Sequence, residues 1–177
     1  IREIRGQNIA MVFQEPMNAL NPVFTVGSQI GDALRTNMGL SKLEARERTI
    51  EMLQLVGIPS PTARIDNYVH EFSGGMRQRV MLAMALSCDP TFLIADEPTT
   101  ALDVTIQAVI LELITSMIER FDMSLLFITH NLGVVAHACD KIGVMYASHL
   151  VEMGTKDEIF ANPQHPYTKG LLRSIPR

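Results

Sequence analysis

The run Phe92–Glu97, which reads FLIADE, decides the fold class of this 177-residue chain. Four apolar residues followed by two acids are typical of a buried strand that ends in polar side chains. Two other apolar runs, Ile9–Phe13 and Ser124–Thr129, are also predicted as buried strands, and helical patterns separate the three. Strands that alternate with helices predict an α/β fold with a mostly parallel sheet and helices on both faces.

A stretch with only helical patterns interrupts that alternation. Thr25 and Ser73 are suited to N-cap helices, and Ser41–Glu44 fits a capping box at the start of a helix between them. We therefore predict an inserted α-helical subdomain over residues 25–88. The predicted catalytic core consists of residues 1–24 and 89–177.

The apolar spacing along two helices predicts which side chains face the core. In the helix that begins near Ser41, the predicted stripe includes Leu43 and Leu53. In the helix Thr105–Arg120, it includes Val109 and Ile110.

The composition indicates a folded domain. Apolar residues make up 47% of the chain and charged residues 19%, which excludes intrinsic disorder. The formal net charge is −4, whereas a nucleic-acid binder usually has a basic surplus, so we expect no nucleic-acid partner. No apolar run approaches the roughly 20 residues that cross a bilayer. The chain begins at Ile1 and ends just after a helical pattern, so we expect both ends to be cut from a longer protein.

Two adjacent acids, Asp96 and Glu97, follow the central apolar strand. Ligands of parallel-sheet proteins gather at the carboxyl ends of the strands. Neighbouring carboxylates repel each other, so the pair is explained if a cation lies nearby or if one acid carries a proton. For an isolated pair, a solvated acidic turn is the more frequent explanation.

Other polar residues also lie at strand ends or helix starts. The helix after Ser73–Gly75 offers backbone N–H groups and partial positive charge to a phosphate, although Ser73 also fits an ordinary N-cap. His130 and Gln14 each follow an apolar strand, which predicts them at the same sheet edge as the two acids. Taken singly, each of these signals is weak.

Four runs contain these residues. They are Met11–Met17 (MVFQEPM), Phe72–Arg79 (FSGGMRQR), Leu93–Asp103 (LIADEPTTALD) and Phe127–His130 (FITH). Their order and spacing resemble the Q-loop, signature, Walker B with D-loop, and H-switch of the ATP-binding subunits of ABC transporters. Met76 and the run Asn162–Thr168 (NPQHPYT) are most similar to the peptide importers, the group with dipeptide, oligopeptide, glutathione and nickel systems.

The resemblance implies a partial P-loop NTPase fold of the ABC type, with a RecA-like parallel sheet and an inserted α-helical subdomain. It implies an ATPase that uses ATP and Mg²⁺ to power import of peptides or related small solutes. The residues implied to be catalytic are Glu97 as the general base, His130 in contact with the γ-phosphate, and Gln14. Gln14 and Asp96 are implied to bind Mg²⁺. Ser73, Gly74 and Gly75 would cap the ATP of the opposite subunit, and Asp103 would communicate across the dimer.

The resemblance also implies partners and a location. ATP would be sandwiched between this subunit and a second ATPase subunit, identical or different. Integral membrane permease subunits would dock a cytoplasmic loop on Glu15–Gln29 and the helical subdomain, and an extracytoplasmic solute-binding protein would act indirectly. The subunit would then be peripheral, at the cytoplasmic face of the inner membrane.

One expected motif does not occur in the sequence. The pattern G-x-x-x-x-G-K-[ST] is missing, and in the family it lies upstream of the Q-loop. We therefore expect that the P-loop strand and helix, and the usual C-terminal extension, are absent from this chain. Without the phosphate cradle, this fragment alone is expected to bind ATP weakly and to be inactive.

The resemblance places the absent strand between Ser124–Thr129 and Lys141–Tyr146. Because unpaired edges invite pairing, we predict that these two strands separate, pair directly or are bridged by another chain. Lys141–Tyr146 and Leu150–Met153 are predicted to form two strands across a tight connection. Ser148 stands where glycine is usual and puts the tightness of that turn in question.

Two alternatives stay open at this point. The first is a non-transport ABC ATPase that acts on DNA, a class with long coiled-coil or zinc-bearing insertions that the compact helical stretch lacks. The second is a catalytically silent ABC-like binding module without a P-loop. The presence of Asp96, Glu97 and His130 in one chain argues against the second.

Overall fold

A computed structural model describes residues 4–100 and 102–174 of the chain. The chain divides between Ile128 and Thr129 into two compact units. The elements of the first unit are β1 (Ile9–Val12), α1 (Pro16–Ala19), α2 (Val26–Met38), α3 (Lys42–Leu55), α4 (Pro61–Arg64), a 3₁₀ turn (Val69–Glu71), α5 (Gly74–Leu86), β2 (Phe92–Asp96), α6 (Val104–Phe121) and β3 (Ser124–Ile128).

The three strands of the first unit form one parallel sheet in the order β1-β2-β3. This confirms the predicted parallel α/β arrangement. Alternate residues of each strand point to opposite faces, and Val12, Leu93 and Ala95 are buried in or against the core on one face. On the other face Met11 and Leu126 are exposed, and no residue of β3 is buried, so the expectation of buried strands holds only for alternate residues of β1 and β2.

The helices α2, α3 and α5 begin where the capping residues predict. Thr25 Oγ1 accepts the Ser28 N–H at 3.2 Å, and the Ser41–Glu44 capping box is formed in both directions. The buried apolar core runs continuously from these helices to β1 and β2. The boundary of the predicted subdomain at residues 25–88 stays a prediction.

Two predicted core positions are wrong. Leu43 is 67% exposed and Val109 is 38% exposed. With 3.6 residues per turn, Leu43 lies on the side of α3 opposite Ala45, while Val109 is rotated about 100° from Ile110. Ile114, one turn after Ile110, is buried instead.

The second unit consists of α7 (Leu132–Ala138), β4 (Lys141–Tyr146), β5 (His149–Thr155), α8 (Lys156–Ala161) and α9 (Pro166–Arg173). β4 and β5 form the predicted antiparallel hairpin, with Tyr146 opposite His149. The connection is tight because both Ala147 and Ser148 adopt left-handed backbone angles, with φ of 46° and 64°. Ser148 therefore keeps the turn at the cost of backbone strain.

The strands on either side of the unit boundary behave as the sequence predicts. Within residues 4–100 and 102–174, β3 pairs only with β2 and β4 pairs only with β5, so the two strands belong to separate sheets. Among the described residues, no helix combines the length and the apolar character needed to cross a membrane.

Candidate functional site

Three predicted site residues meet at one edge of the parallel sheet. Val12 lies opposite Ala95 in the register, Asp96 is the last residue of β2, and Gln14 comes two residues after β1. Because both strands run in the same direction, Gln14, Asp96 and Glu97 all lie at the carboxyl edge. The structure thus places an amide and two carboxyl groups at the same edge of the sheet.

Glu97 begins a tightly bonded turn. Its backbone lies in the left-handed region, with φ of 44°, which is uncommon for a residue other than glycine. Its N–H donates to the carbonyl of Ile128 at 2.9 Å, and the Thr100 hydroxyl donates to Glu97 Oε2 at 3.0 Å. Such strained, well-held residues cluster at functional sites. The turn therefore fixes the direction of the Glu97 carboxylate.

The oxygen donors at this edge suit Mg²⁺. Asp96 is half-buried and Gln14 is exposed, so both offer oxygen atoms near the surface of the sheet edge. Among the described residues, no cluster of three or more His, Cys, Asp or Glu side chains forms a metal site. Mg²⁺ fits such a sparse site, because it commonly uses one or two protein oxygens together with water and substrate phosphates.

The N-terminus of α5 is open at Gly74. Ser73 Oγ accepts the Met76 N–H at 3.4 Å, and a Cβ added at Gly74 would meet no atom within 4 Å. The N-terminus of this 13-residue helix can accept an anion from solvent. Packing explains the glycine at position 75, since an added Cβ would lie 3.0 Å from Ile106 Cγ2.

Asp103 has a structural role at the start of α6. Its Oδ1 accepts the Ile106 N–H at 3.0 Å and thereby caps the helix. Asp103 is exposed, and its predicted part in communication between subunits stays a prediction.

His130 belongs to the second unit, two residues beyond Ile128. Its predicted position at the same edge as Glu97 stays a prediction from the sequence.

Sequence analysis missed one polar residue near this site. Gln78, on α5, is buried, and its Nε2 donates to the carbonyl of Pro98, directly after Glu97. The available signal was a glutamine on a helical face with apolar neighbours such as Met81 and Leu82.

Comparison with known proteins decides the family. The family described as "ABC transporter" matches residues 1–100, more than half of the chain. The chain belongs to the ABC transporter family. A second family, "Oligopeptide/dipeptide transporter, C-terminal region", matches residues 151–177.

Curated relatives of this ABC chain carry peptide-transport names. The dipeptide transport ATP-binding protein DppD of Bacillus subtilis (strain 168) is 58% identical over 177 residues, which cover 100% of this chain and 53% of that protein. The oligopeptide transport ATP-binding protein OppD of the same strain is 56% identical over 99% of this chain and 49% of its own length. The chain spans about half the length of the curated relatives it matches.

Solved structures place the fold among ABC ATPases. CbiO1 of Clostridium perfringens, part of the ABC transporter complex cbiONQ, superposes with a TM-score of 0.75 at 31% identity, covering 91% of this chain and 61% of that chain. The ATP-binding cassette MJ0796, a dimer bound to ADP and Pi, has a TM-score of 0.75 at 25% identity over 88% and 66%. The predicted partial P-loop NTPase fold of the ABC type is thus confirmed.

Proposed function

We propose that the protein containing this chain hydrolyses ATP to drive import of peptides or related small solutes through an ABC transporter. The observation that carries the proposal is the position of Gln14, Asp96 and Glu97 at one edge of the sheet. Over its whole length the chain is similar in sequence to a protein named for dipeptide transport. Those relatives do not favour the DNA-acting or silent alternatives.

In this proposal Glu97 is the general base. Its carboxylate, oriented by the Thr100 hydroxyl at 3.0 Å, accepts a proton from the water that attacks the γ-phosphate. His130 donates to an oxygen of that phosphate. Asp96 and Gln14 would hold Mg²⁺, which when bound offsets the negative charge of the phosphates.

A second ATPase subunit completes the site. The open N-terminus of α5, with Ser73, Gly74 and Gly75, would cap the ATP held by the opposite subunit. A phosphate that meets a helix N-terminus from another chain joins the two subunits only while that phosphate is present. Asp103, next to this interface in the proposal, would report one site to the other.

The exposed loop before α2 suits the proposed permease contact. Val23 is 73% exposed and Phe24 is 55% exposed. Gln29 fixes this loop: its Oε1 accepts the Asn21 N–H at 2.8 Å, and its Nε2 donates to the carbonyls of Asn21 and Phe24. Within the segment Glu15–Gln29, these apolar side chains would receive a cytoplasmic loop of the membrane partner. The subunit would lie at the cytoplasmic face of the inner membrane, and a solute-binding protein would act on the other side.

Peptide uptake with a Glu97→Gln variant tests the proposal. The protein in its natural length, reconstituted with its permease in vesicles, is expected to take up a labelled dipeptide only with Mg²⁺ and ATP. Glu97→Gln is expected to lower ATP turnover and uptake by about 100-fold or more, because the general base is lost. Glu47→Gln, on the exposed surface of α3, is the control and is expected to change neither.

The opposite result would be uptake and turnover that survive Glu97→Gln at the control level. ATP turnover stimulated by DNA, without peptide uptake, would favour the DNA-acting alternative.

We also propose that the 177 residues alone hold ATP only at millimolar or weaker affinity, because no G-x-x-x-x-G-K-[ST] loop grips the phosphates. Titration calorimetry measures this directly. Tight binding with turnover by this chain would contradict the proposal.

A further inference from the structure

A buried hydrogen bond links α5 to the turn that follows Glu97. Gln78 is 2% exposed, and its Nε2 donates to the Pro98 carbonyl oxygen. Buried polar groups are costly unless they are paired. Removing the donor would leave the Pro98 carbonyl without this partner inside the protein.

The Pro98 carbonyl belongs to the same turn as the Glu97 carboxylate. Thr99 is buried, the Thr100 N–H donates to the Glu97 carbonyl at 3.3 Å, and the Leu102 N–H donates to the Thr99 carbonyl at 3.1 Å. The turn is therefore a connected unit. A shift of the Pro98 carbonyl would move the backbone that carries Glu97.

The first turn of α5 makes a second contact with this segment. Gly75 lies three residues before Gln78, so both face the same side of the helix. A Cβ at Gly75 would lie 3.0 Å from Ile106 Cγ2, and the Ile106 N–H is held by Asp103 at 3.0 Å. The start of α5 thus contacts both the Glu97 turn and the first turn of α6.

We propose that Gln78 is a positioning residue that couples the α5 N-terminus, Ser73–Gly75, to the general base Glu97. The inference rests on the proposed function, in which Ser73–Gly75 engages the opposite subunit's ATP while Glu97 acts on this subunit's own ATP. Closure of α5 on one nucleotide then sets the Glu97 turn at the other. Gln78 touches neither nucleotide and acts through the Pro98 carbonyl.

Two substitutions remove the donor while keeping the side-chain size. Gln78→Leu and Gln78→Met both lack a polar hydrogen, and both are apolar and close to glutamine in size. Gln54→Met, on the exposed surface of α3, is the matched control. The measurements use the protein in its natural length with ATP and Mg²⁺.

Both Gln78 variants are expected to lower kcat by about 10- to 100-fold, since a buried acceptor loses its partner. The dissociation constant for ATP is expected to change by less than about twofold, because binding does not require the Glu97 turn to be aligned. Hydrogen exchange is expected to become faster at the amides of Thr100 and Leu102 and to stay unchanged in α3. The control is expected to match the wild type.

Three results would overturn the inference. These are an unchanged kcat with unchanged exchange in the turn, equal losses of kcat and of ATP affinity, and loss of protection in α3 in both variants, which would make Gln78 a residue of the general fold. A wild-type protein without ATP turnover would instead refute the proposed function, and the exchange measurement would still test the link between Gln78 and the turn.

Discussion

The two units of this chain differ in how much buried apolar core stabilises each of them. In the first unit, side chains such as Ile30, Leu34, Met52 and Leu53 are fully buried in one core that joins helices and sheet. In the second unit, the apolar cluster among the described residues has three buried side chains, Ile142, Val144 and Ile159, and four partly buried ones packed against them. A cluster of this size cannot offset the chain entropy of a unit of about 50 residues.

Contacts outside the small core provide part of the stability of the second unit. The Glu152 carboxylate on β5 accepts the N–H groups of Gln164 and His165 at 2.6 and 3.0 Å. These bonds hold the segment before α9, where Tyr146 and Tyr167 pack with ring centroids 4.5 Å apart. The peptide-importer run Asn162–Thr168 is thus fixed to the hairpin by one carboxylate. The comparison of the two units shows that hydrogen bonds and turns can define the hairpin and the segment before α9 although few apolar side chains are buried there.

Separating the two units tests most strongly whether the second unit folds without the first. A peptide of residues 129–177 is expected to show no cooperative thermal transition, because the core of the second unit is too small to fold alone. Circular dichroism during heating measures this. A sigmoidal unfolding curve, measured at a concentration at which the peptide is monomeric, would contradict this prediction.

The core of the first unit is tested by Leu53→Ala. We expect a loss of about 2–5 kcal/mol in the free energy of unfolding, because Leu53 is fully buried and its removal leaves a cavity. Chemical denaturation gives the value. Leu43→Ala in the same helix is the control, expected to cost less than about 1 kcal/mol because Leu43 is exposed. Equal losses for the two variants would mean that α3 does not pack as described.

The close contact of α2 with the segment around Ile65 is tested by Gly27→Ala. The Gly27 N–H donates to the Ile65 carbonyl at 2.7 Å, and an added Cβ would lie 2.4 Å from Ile65 Cγ1 and 2.7 Å from that carbonyl oxygen. We expect a loss of about 1–3 kcal/mol in the free energy of unfolding.

Gly31→Ala is the matched control in α2, because a Cβ there meets no atom within 4 Å. It is expected to be neutral or to stabilise by up to about 1 kcal/mol, since alanine is the better helix former. A Gly27→Ala variant as stable as this control would show that the two segments are further apart.

The smallest expected effect is the acid sensitivity of the second unit. The hydrogen bond from the Gln164 N–H is the largest cause that lowers the pKa of Glu152 below its ordinary value of 4.5. A carboxyl group with a lowered pKa stabilises the fold above its unfolded pKa, and this contribution is lost as the pH falls through the folded pKa. The full protein is therefore expected to have a lower Tm at pH 4 than at pH 6 on this account.

Glu152→Gln checks the origin of that loss. The amide does not titrate, so the variant is expected to have a lower Tm at pH 6 and a smaller decrease towards pH 4. Differential scanning calorimetry at the two pH values measures both. A wild-type decrease that persists fully in the variant would assign the acid sensitivity to other carboxyl groups, such as Glu158, whose pKa is lowered by Thr155.

The sequence predicts this fold best where one local rule decides the outcome. Thr25, Ser41 and Ser73 cap helices as predicted, since a capping bond forms within a few residues. Leu43 and Val109 were placed in the core wrongly, because the direction of a buried stripe depends on which neighbour the helix meets.

The candidate site shows the same division. Gln14, Asp96 and Glu97 could be placed at one edge from the order of strands alone, because parallel strands end on the same side. The bond from Gln78 to Pro98 joins residues 20 positions apart through tertiary packing, and no periodicity predicts it. Sequence analysis also did not predict that Asp103 caps α6, because it considered this residue only as part of the D-loop motif.

The central proposal is that Gln14, Asp96 and Glu97 lie around the cation and the terminal phosphate of one bound nucleotide, and that His130 contacts that phosphate. Mn²⁺ can replace Mg²⁺ at oxygen ligands, and its unpaired electrons broaden the NMR signals of nearby nuclei. Adding Mn²⁺ and a non-hydrolysable ATP analogue to the labelled natural-length protein tests the claim most directly. The account predicts that the amide signals of these four residues broaden together, while those of α3 stay sharp. Broadening elsewhere in the chain, with these four signals unaffected, would contradict it.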